Sequence, residues 1–238
     1  MARASADLAE VFLALREDWV RPGVRTADLD TRIEEVILGQ GNLPAFRGYR
    51  GFPASACISI NEEVVHGLPG DREILEGDIV GVDVGLIKAG WYADSAETFS
   101  VGEVRPEVAK LCESCAAGLA AGIAAAKPGG QLMDIGRAIE SRGREDGFGV
   151  VTTLVGHGIG RQLHEDPKVP NYECFTLPNP PLLAGMVLAL EPMFSLGGSR
   201  VRVLPDGWTV VTEDESWAAH FEHTVAITED GPIVLTAR

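Results

Sequence analysis

Five side chains in this sequence stand where burial should exclude them. Asp83 interrupts the apolar run IVGVDVGL, Glu191 interrupts MVLALEPMF and Glu222 interrupts HFEHTVAI. Asp94 follows in WYADSAETFSV, and His157 is held between glycines in VGHGIG. Any one acid alone reads as a solvated residue on an exposed sheet face. Together they do not, because each unpaired buried carboxylate costs several kcal/mol, and no Lys or Arg stands near them in sequence. Four carboxylates and a neutral imidazole carry a charge that two divalent cations neutralise. Oxygen-rich ligation with one His suits Mn, Fe or Co better than a structural zinc cage. The chemistry implied is a two-metal hydrolytic centre, with ions roughly 3.5–4 Å apart.

Strands must position these groups. Val80, Val82 and Val84 point to one face and Asp83 to the other. If the following turn centres on Lys88-Ala89, Asp83 and Asp94 face each other directly, with Cβ atoms about 5 Å apart. A slip of one residue makes them diagonal neighbours. Strand-like sequence recurs in SACISI, GDIVGVDVGLI and WYADSAETFSV, then in FGVVTTLVGHG, GMVLALEPMFSL, GWTVVTED and FEHTVAITE. Each set follows two helical segments joined at a Pro-Gly turn. At an offset of 106, Pro22-Gly23 aligns with Pro128-Gly129, Asp28-Leu29 with Asp134-Ile135, Ile33-Glu34 with Ile139-Glu140 and Gly41 with Gly147. The expected architecture is one α/β (α+β) domain over 1–238. It is built from two pseudo-symmetric α-α-β halves, about 1–105 and 106–238, with strands inside and helices outside. A ligand belongs where the halves meet.

The 238 residues carry 20 Lys+Arg against 35 Asp+Glu, a net charge of −15, with 45% hydrophobic residues. This is a globular composition, and the acid excess argues against a DNA- or RNA-binding face. The longest uncharged Ala/Gly stretch, Ser114 to Ala126, is 13 residues, whereas a membrane span needs about 20. Val11–Leu15 is too short for a secretory signal and runs into Arg16-Glu17-Asp18, so the cytoplasm is the expected compartment. The C-x-x-C of Cys112 and Cys115 lies in LCESCAAGLAAG, which reads as helix interior. Cys57 and Cys174 supply no second ligand pair, so the two thiols are read as core residues rather than as a zinc or redox motif.

The stretches SACISINEEVVHGLPGDREILEGDIVGVDVG, GHGIGRQLHEDP, MVLALEPM and DGWTVVTEDESWAAHFEHTV resemble the type I methionine aminopeptidases of the M24 metallopeptidase group. The resemblance runs from about Phe46 to the last residue and more weakly over the N-terminal helices. It implies the pita-bread fold, whose two related halves agree with the repeat. It implies excision of the N-terminal methionine from nascent proteins and peptides with a small second residue, by dinuclear-metal-assisted amide hydrolysis. The metals it implies are two divalent ions drawn from Co, Mn, Fe or Zn.

Carried over by residue, the resemblance makes Asp83 a ligand of one metal and His157 and Glu191 ligands of the other, with Asp94 and Glu222 bridging. Glu191 would also shuttle the proton. His66 and His164 match the family's catalytic histidines. The methionine pocket would be walled by Tyr49, Phe52, Cys57 and Trp208, with Phe46 and Leu163 at two further positions. Leu163 replaces an aromatic residue often found there, and Phe46 is larger than its usual counterpart. His223 would support Glu222, and His220 departs from a residue usually uncharged. The family default is a cytoplasmic monomer acting on nascent chains, with ribosome contact by analogy.

Three other readings fit the sequence less well. Proline-specific relatives carry a large extra N-terminal domain, and about 45 residues precede Phe46 here. Type II enzymes carry a long insertion between His164 and Glu222, where this chain has 57 positions. Inactive relatives that serve as binding modules usually lose ligands, and all five are present.

Overall fold

The chain opens with a helix pair, α1 (Ala2–Arg16) and α2 (Thr26–Gly39). Five strands follow: β1 (Leu43–Pro44), β2 (Ala56–Ile60), β3 (Glu63–Val65), β4 (Ile79–Lys88) and β5 (Trp91–Ser100). A second helix pair, α3 (Pro106–Ala125) and α4 (Leu132–Glu145), leads to β6 (Gly149–Val150), β7 (Gly156–Gly158), β8 (Glu165–Val169), β9 (Val187–Leu190) and β10 (Met193–Ser195). The last strands are β11 (Val201–Val203), β12 (Val210–Thr212), β13 (Ala218–His220), β14 (Glu222–Thr228) and β15 (Gly231–Val234). This computed structural model describes residues 1–17 and 19–238; Asp18, in the charged run after Leu15, lies outside the described residues.

The main sheet runs β1-β4-β5-β14-β9-β7-β8, with β2 also paired to β4 and β15 to β14. Two three-stranded sheets, β13-β10-β6 and β11-β12-β3, complete the strands. Alternation divides the main sheet cleanly. Val80, Val82, Val84 and Leu86 pack against Leu8, Phe12, Leu29 and Ile33 of α1 and α2. Leu188, Leu190, Val225 and Ile227 pack in the same way with Leu111, Cys115, Ile135 and Ile139 of α3 and α4. Helices therefore cover one face, and the residues between these apolar positions look out from the other.

The seam between β5 and β14 is short, with Glu222 opposite Ala96 and His223 opposite Ser95. Buried hydroxyls extend it. Thr224 Oγ1 donates to the Asp94 carbonyl at 2.7 Å, Ser95 Oγ to the Glu222 carbonyl at 2.7 Å, and Thr98 Oγ1 to the His220 carbonyl at 2.8 Å. These bonds satisfy backbone groups that strand pairing leaves free at this junction.

By length and composition alone, α3 could cross a membrane, which the 13-residue uncharged stretch did not reveal. Its face of Leu111, Cys115 and Leu119 is instead buried in the core beside α4 and β10. All four cysteines are free and buried. Cys112 and Cys115 sit inside this helix as read from sequence, and the Cys115 thiol donates to the carbonyls of Pro192 and Ala219, each at 3.3 Å.

Candidate metal centre

Strand register assembles the site. Lys88 pairs with Trp91, so the hairpin turns on Ala89-Gly90, not on Lys88-Ala89. Both turn residues have positive φ, 50° and 75°, as in the tight turns that match strand twist. Asp83 is therefore opposite Ala96 and Asp94 opposite Gly85, making the two acids diagonal neighbours on one face. Ala96 also pairs with Glu222, while Ala189 pairs with both Thr224 and His157. Methyl groups thus stand between the acids and leave room above the sheet. Glu191 follows directly after β9, where Asn171 Nδ2 donates to its carbonyl at 3.0 Å.

His157 depends on its glycine neighbours. A Cβ on Gly156 would lie 2.3 Å from the Ala189 carbonyl oxygen, and one on Gly158 would lie 2.3 Å from that of Asp166. Only glycine lets β7 fit between β8 and β9. The His157 ring lies within 2.9 Å of the Gly158 carbonyl through Nδ1, which places the proton there. Nε2 then faces the acids, 3.6 Å from Glu191 and 3.9 Å from Asp94. One ligand atom each from Asp94, His157 and Glu222 lies within 4.8 Å of the others. Asp83 and Glu191 line the same cavity.

The electrostatics favour either protons or cations on these acids. Burial first, then Asp94 and Glu191, push the Asp83 carboxyl well above its usual range. Burial and Asp94 do the same to Glu191, and burial with its three acid neighbours to Glu222. Burial lifts Asp94 to about 7. Asp83 Oδ1, Asp94 Oδ1 and Glu222 Oε1 are buried without a hydrogen-bond partner among the described residues, and the ion pairs that reach Asp94 and Glu191 come from His157. Orphaned oxygens facing one another around an acceptor nitrogen fit divalent cations.

Around these groups lies a cavity of about 160 Å³, comparable to one that holds a benzene-sized guest. Phe46, Tyr49, Phe52, Cys57, Leu163 and Trp208 form its apolar wall, beside His66 and His164. Trp208 meets Phe52 edge-on at 5.1 Å. The Tyr49 hydroxyl lies 2.8 Å from His164 Nδ1, and the His164 ring is 4.2 Å from that of His157. Burial, reinforced by His157, Arg50 and His66, lowers His164 to about 4. Burial likewise lowers His66, which adopts a left-handed φ of 58°.

Residues 1–229 match the metallopeptidase family M24. The methionine aminopeptidase of Clostridium acetobutylicum is 48% identical over 98% of this chain and 94% of its own. The chain belongs to the methionine aminopeptidases. Its counterpart from Escherichia coli is 40% identical over 99% of this chain and 90% of its own. The crystal structure of the methionine aminopeptidase from Thermotoga maritima superposes with a TM-score of 0.96 at 43% identity, covering 100% of this chain and 95% of that one. The fold is thus the pita-bread fold: a curled sheet flanked by helices. A prolidase from Pyrococcus furiosus, at 23% identity and a TM-score of 0.81, shares the fold and covers 100% of this chain against 63% of its own.

The sequence reading placed two histidines outside the ligand set. His223 lies on the helix-facing side of β14 and meets Thr236 Oγ1 at 2.9 Å through Nδ1, an oxygen that also accepts the Thr224 N–H at 3.1 Å. His220 is buried, held near 3 by burial and the neighbouring His66, and its Nε2 has no hydrogen-bond partner among the described residues. Two site residues escaped notice: Asn171, behind Glu191, and Arg50, in the cavity wall. For Arg50 a signal existed, since it lies between glycines in GYRG beside a predicted wall tyrosine.

Proposed function

We propose that this chain removes the N-terminal methionine of polypeptides by metal-assisted amide hydrolysis, as its relatives' name describes. The observation that supports this reading is a single cavity in which buried acid oxygens without partners stand beside an apolar wall of Phe46, Tyr49, Phe52, Cys57, Leu163 and Trp208. Asp83 would hold one cation and His157 with Glu191 the other, while Asp94 and Glu222 would be shared. Bound there, the cations supply Lewis acidity, which polarises an amide carbonyl and makes water nucleophilic at neutral pH.

The remaining work falls to the chain. Glu191, in the cavity wall beside His157, takes the proton released in the attack and passes it to the departing amine. The Tyr49 hydroxyl and His164 Nδ1 lie 2.8 Å apart; in the tautomer this reading uses, the hydroxyl donates to Nδ1 and the neutral ring keeps its N–H on Nε2, free to donate to the carbonyl oxygen as charge develops there. His66, which lines the same cavity, serves the same oxygen. The apolar walls exclude charged first side chains by desolvation. They accept a norleucine-like one with a loss of about 1–3 kcal/mol at most.

Release of methionine from Met-Ala-Ser peptides by the metal-loaded protein, with Ala-Pro peptides left intact, is the expected result. Failure with every divalent metal overturns the reading, and preference for Ala-Pro peptides assigns the proline-specific alternative. The small gap between His164 and Glu222 supports the type I form. The reading extends to a cytoplasmic monomer that meets nascent chains at the ribosome. Salt-sensitive co-sedimentation with ribosomes supports that contact, and none at any salt concentration refutes it.

A further inference from the structure

Arg50 is the only Lys or Arg among the described residues lining the catalytic cavity. That cavity meets a second, larger groove, and the two share His157, His164 and Arg50. Gln162, Glu165, Asp166 and Lys168 line the groove alone. Arg50 thus stands where the catalytic cavity, with its apolar wall and its acids, meets a polar groove.

The surrounding loop treats its two arginines differently. Arg47 is tied to Glu34 at 2.8 Å, to Ser55 Oγ at 3.1 Å and to the Pro53 carbonyl at 3.0 Å. Arg50 has no carboxylate within ion-pair distance among the described residues, and its guanidinium lies 5.4 Å from the centroid of the Tyr49 ring. In a chain of net charge −15, an exposed cation left unpaired at the rim of an acid-lined cavity is available to a ligand. Its backbone is also committed. Arg50 has φ 51°, between Gly48 at 83° and Gly51 at 91°. The loop is closed by Tyr49 N–H to the Phe46 carbonyl at 2.9 Å, Phe52 N–H to that of Tyr49 at 2.9 Å and Gly48 N–H to that of Phe52 at 2.8 Å. A non-glycine residue persists in this region only when its surroundings fix it, and here they fix Arg50 at the rim.

The inference rests on the proposed function. With a methionine side chain in the cavity and the scissile carbonyl near His164, the groove that shares Arg50 and His164 with the cavity gives the departing peptide its path. We propose that Arg50 determines specificity on the leaving side of the substrate. It favours a carboxylate just beyond the scissile bond, whether on a side chain or at the free end of a short peptide. The groove's own acids stand farther out, since they do not line the cavity, and Glu165 already accepts the Gln162 N–H at 2.8 Å. Because the guanidinium is exposed, its preference is a several-fold effect that salt screens.

The test compares kcat/KM for Met-Ala-Glu, Met-Ala-Gln and Met-Ala-Lys amides, and for Met-Ala-Gln as the free acid, at low and high salt. The wild type should prefer the Glu amide over the Lys amide by about tenfold at low salt, and the free acid over its amide several-fold. Both ratios should fall towards one at high salt and in Arg50→Gln, while Arg50→Lys keeps most of them. A preference seen only among the amides assigns the contact to the side chain, and one seen only for the free acid assigns it to the chain end. Equal rates in the wild type, or ratios that survive in Arg50→Gln, overturn the inference. Turnover of the Met-Ala-Gln amide by each variant reports that it is folded and loaded. Absence of methionine release from all four peptides by the wild type would instead strike at the proposed function.

Discussion

Replacing Asp94 by Asn should stabilise the metal-free protein while destroying its activity. Burial lifts the Asp94 carboxyl from 3.8 to about 7 in the folded chain. Each factor of ten in proton affinity is worth about 1.4 kcal/mol, so ionising Asp94 inside the metal-free fold costs about 4 kcal/mol once the pH exceeds about 7. An acid shifted upwards imposes nothing below its unfolded pKa, and its burden grows as pH rises through the folded value. Asn has the same shape and never ionises. The metal-free variant should therefore match metal-free wild type near pH 4 and exceed it by about 4 kcal/mol near pH 8, a Tm difference of about 10 °C for a chain of this size. The buried neutral histidines are common to both proteins and cancel in the difference, while Asp83, Glu191 and Glu222, whose proton affinity the Asp94 charge also raises, are relieved in the variant and widen it in the same direction. The assay is guanidinium or thermal unfolding of chelator-treated proteins, followed by circular dichroism across that pH range. Metal should reverse the order, because only wild type gains from binding it. A stability difference that does not change with pH, or an Asn variant that binds metal and cleaves as wild type does, refutes the reasoning.

Other perturbations separate the parts of the site. His164→Ala should lower kcat by about 10²–10³ with metal content unchanged. Tyr49→Phe, which removes the hydroxyl at 2.8 Å from His164 Nδ1, should lower kcat by about tenfold or more; elemental analysis alongside kinetics checks both. Gly158→Ala puts a methyl group 2.3 Å from the Asp166 carbonyl oxygen. It should cost about 1–3 kcal/mol in urea unfolding and weaken metal binding in calorimetry by displacing His157. Asp30→Ala frees the N–H groups of Ser55 and Ala56, now bonded at 2.9 and 2.8 Å. It should cost about 1–3 kcal/mol for each while leaving the activity of the folded fraction intact.

What the sequence reveals and what it hides follow from range. Asp83, Glu191 and Glu222 are visible because a charge inside an alternating apolar strand violates a local pattern, and β4, β9 and β14 carry that pattern in their own residues. The sequence leaves the hairpin centre open between facing and diagonal acids because Lys88-Ala89 and Ala89-Gly90 both fit the strand lengths, and the register settles on the diagonal arrangement. Only the positive φ at both Ala89 and Gly90 decides between them. The seam of Ser95, Thr98 and Thr224 joins residues more than 120 positions apart, and a hydroxyl gives no local sign of so distant a carbonyl. Ala96 and Ala189 are equally silent in sequence, although their small size makes room for the acids. The alternation that points Glu222 into the site turns His223 the other way, towards Thr236.

The central claim is that buried acids and one imidazole hold paired divalent cations that act on a methionyl peptide. Its most direct test is a titration of chelated protein with Mn, Fe or Co, measuring bound metal by elemental analysis and methionine release from Met-Ala-Ser in the same samples. Activity should rise with metal content and reach its limit at about two ions per chain, and both should be lost together in Asp94→Asn and Glu222→Gln. Full hydrolysis by metal-free protein, or undiminished metal content in both variants, would contradict the account.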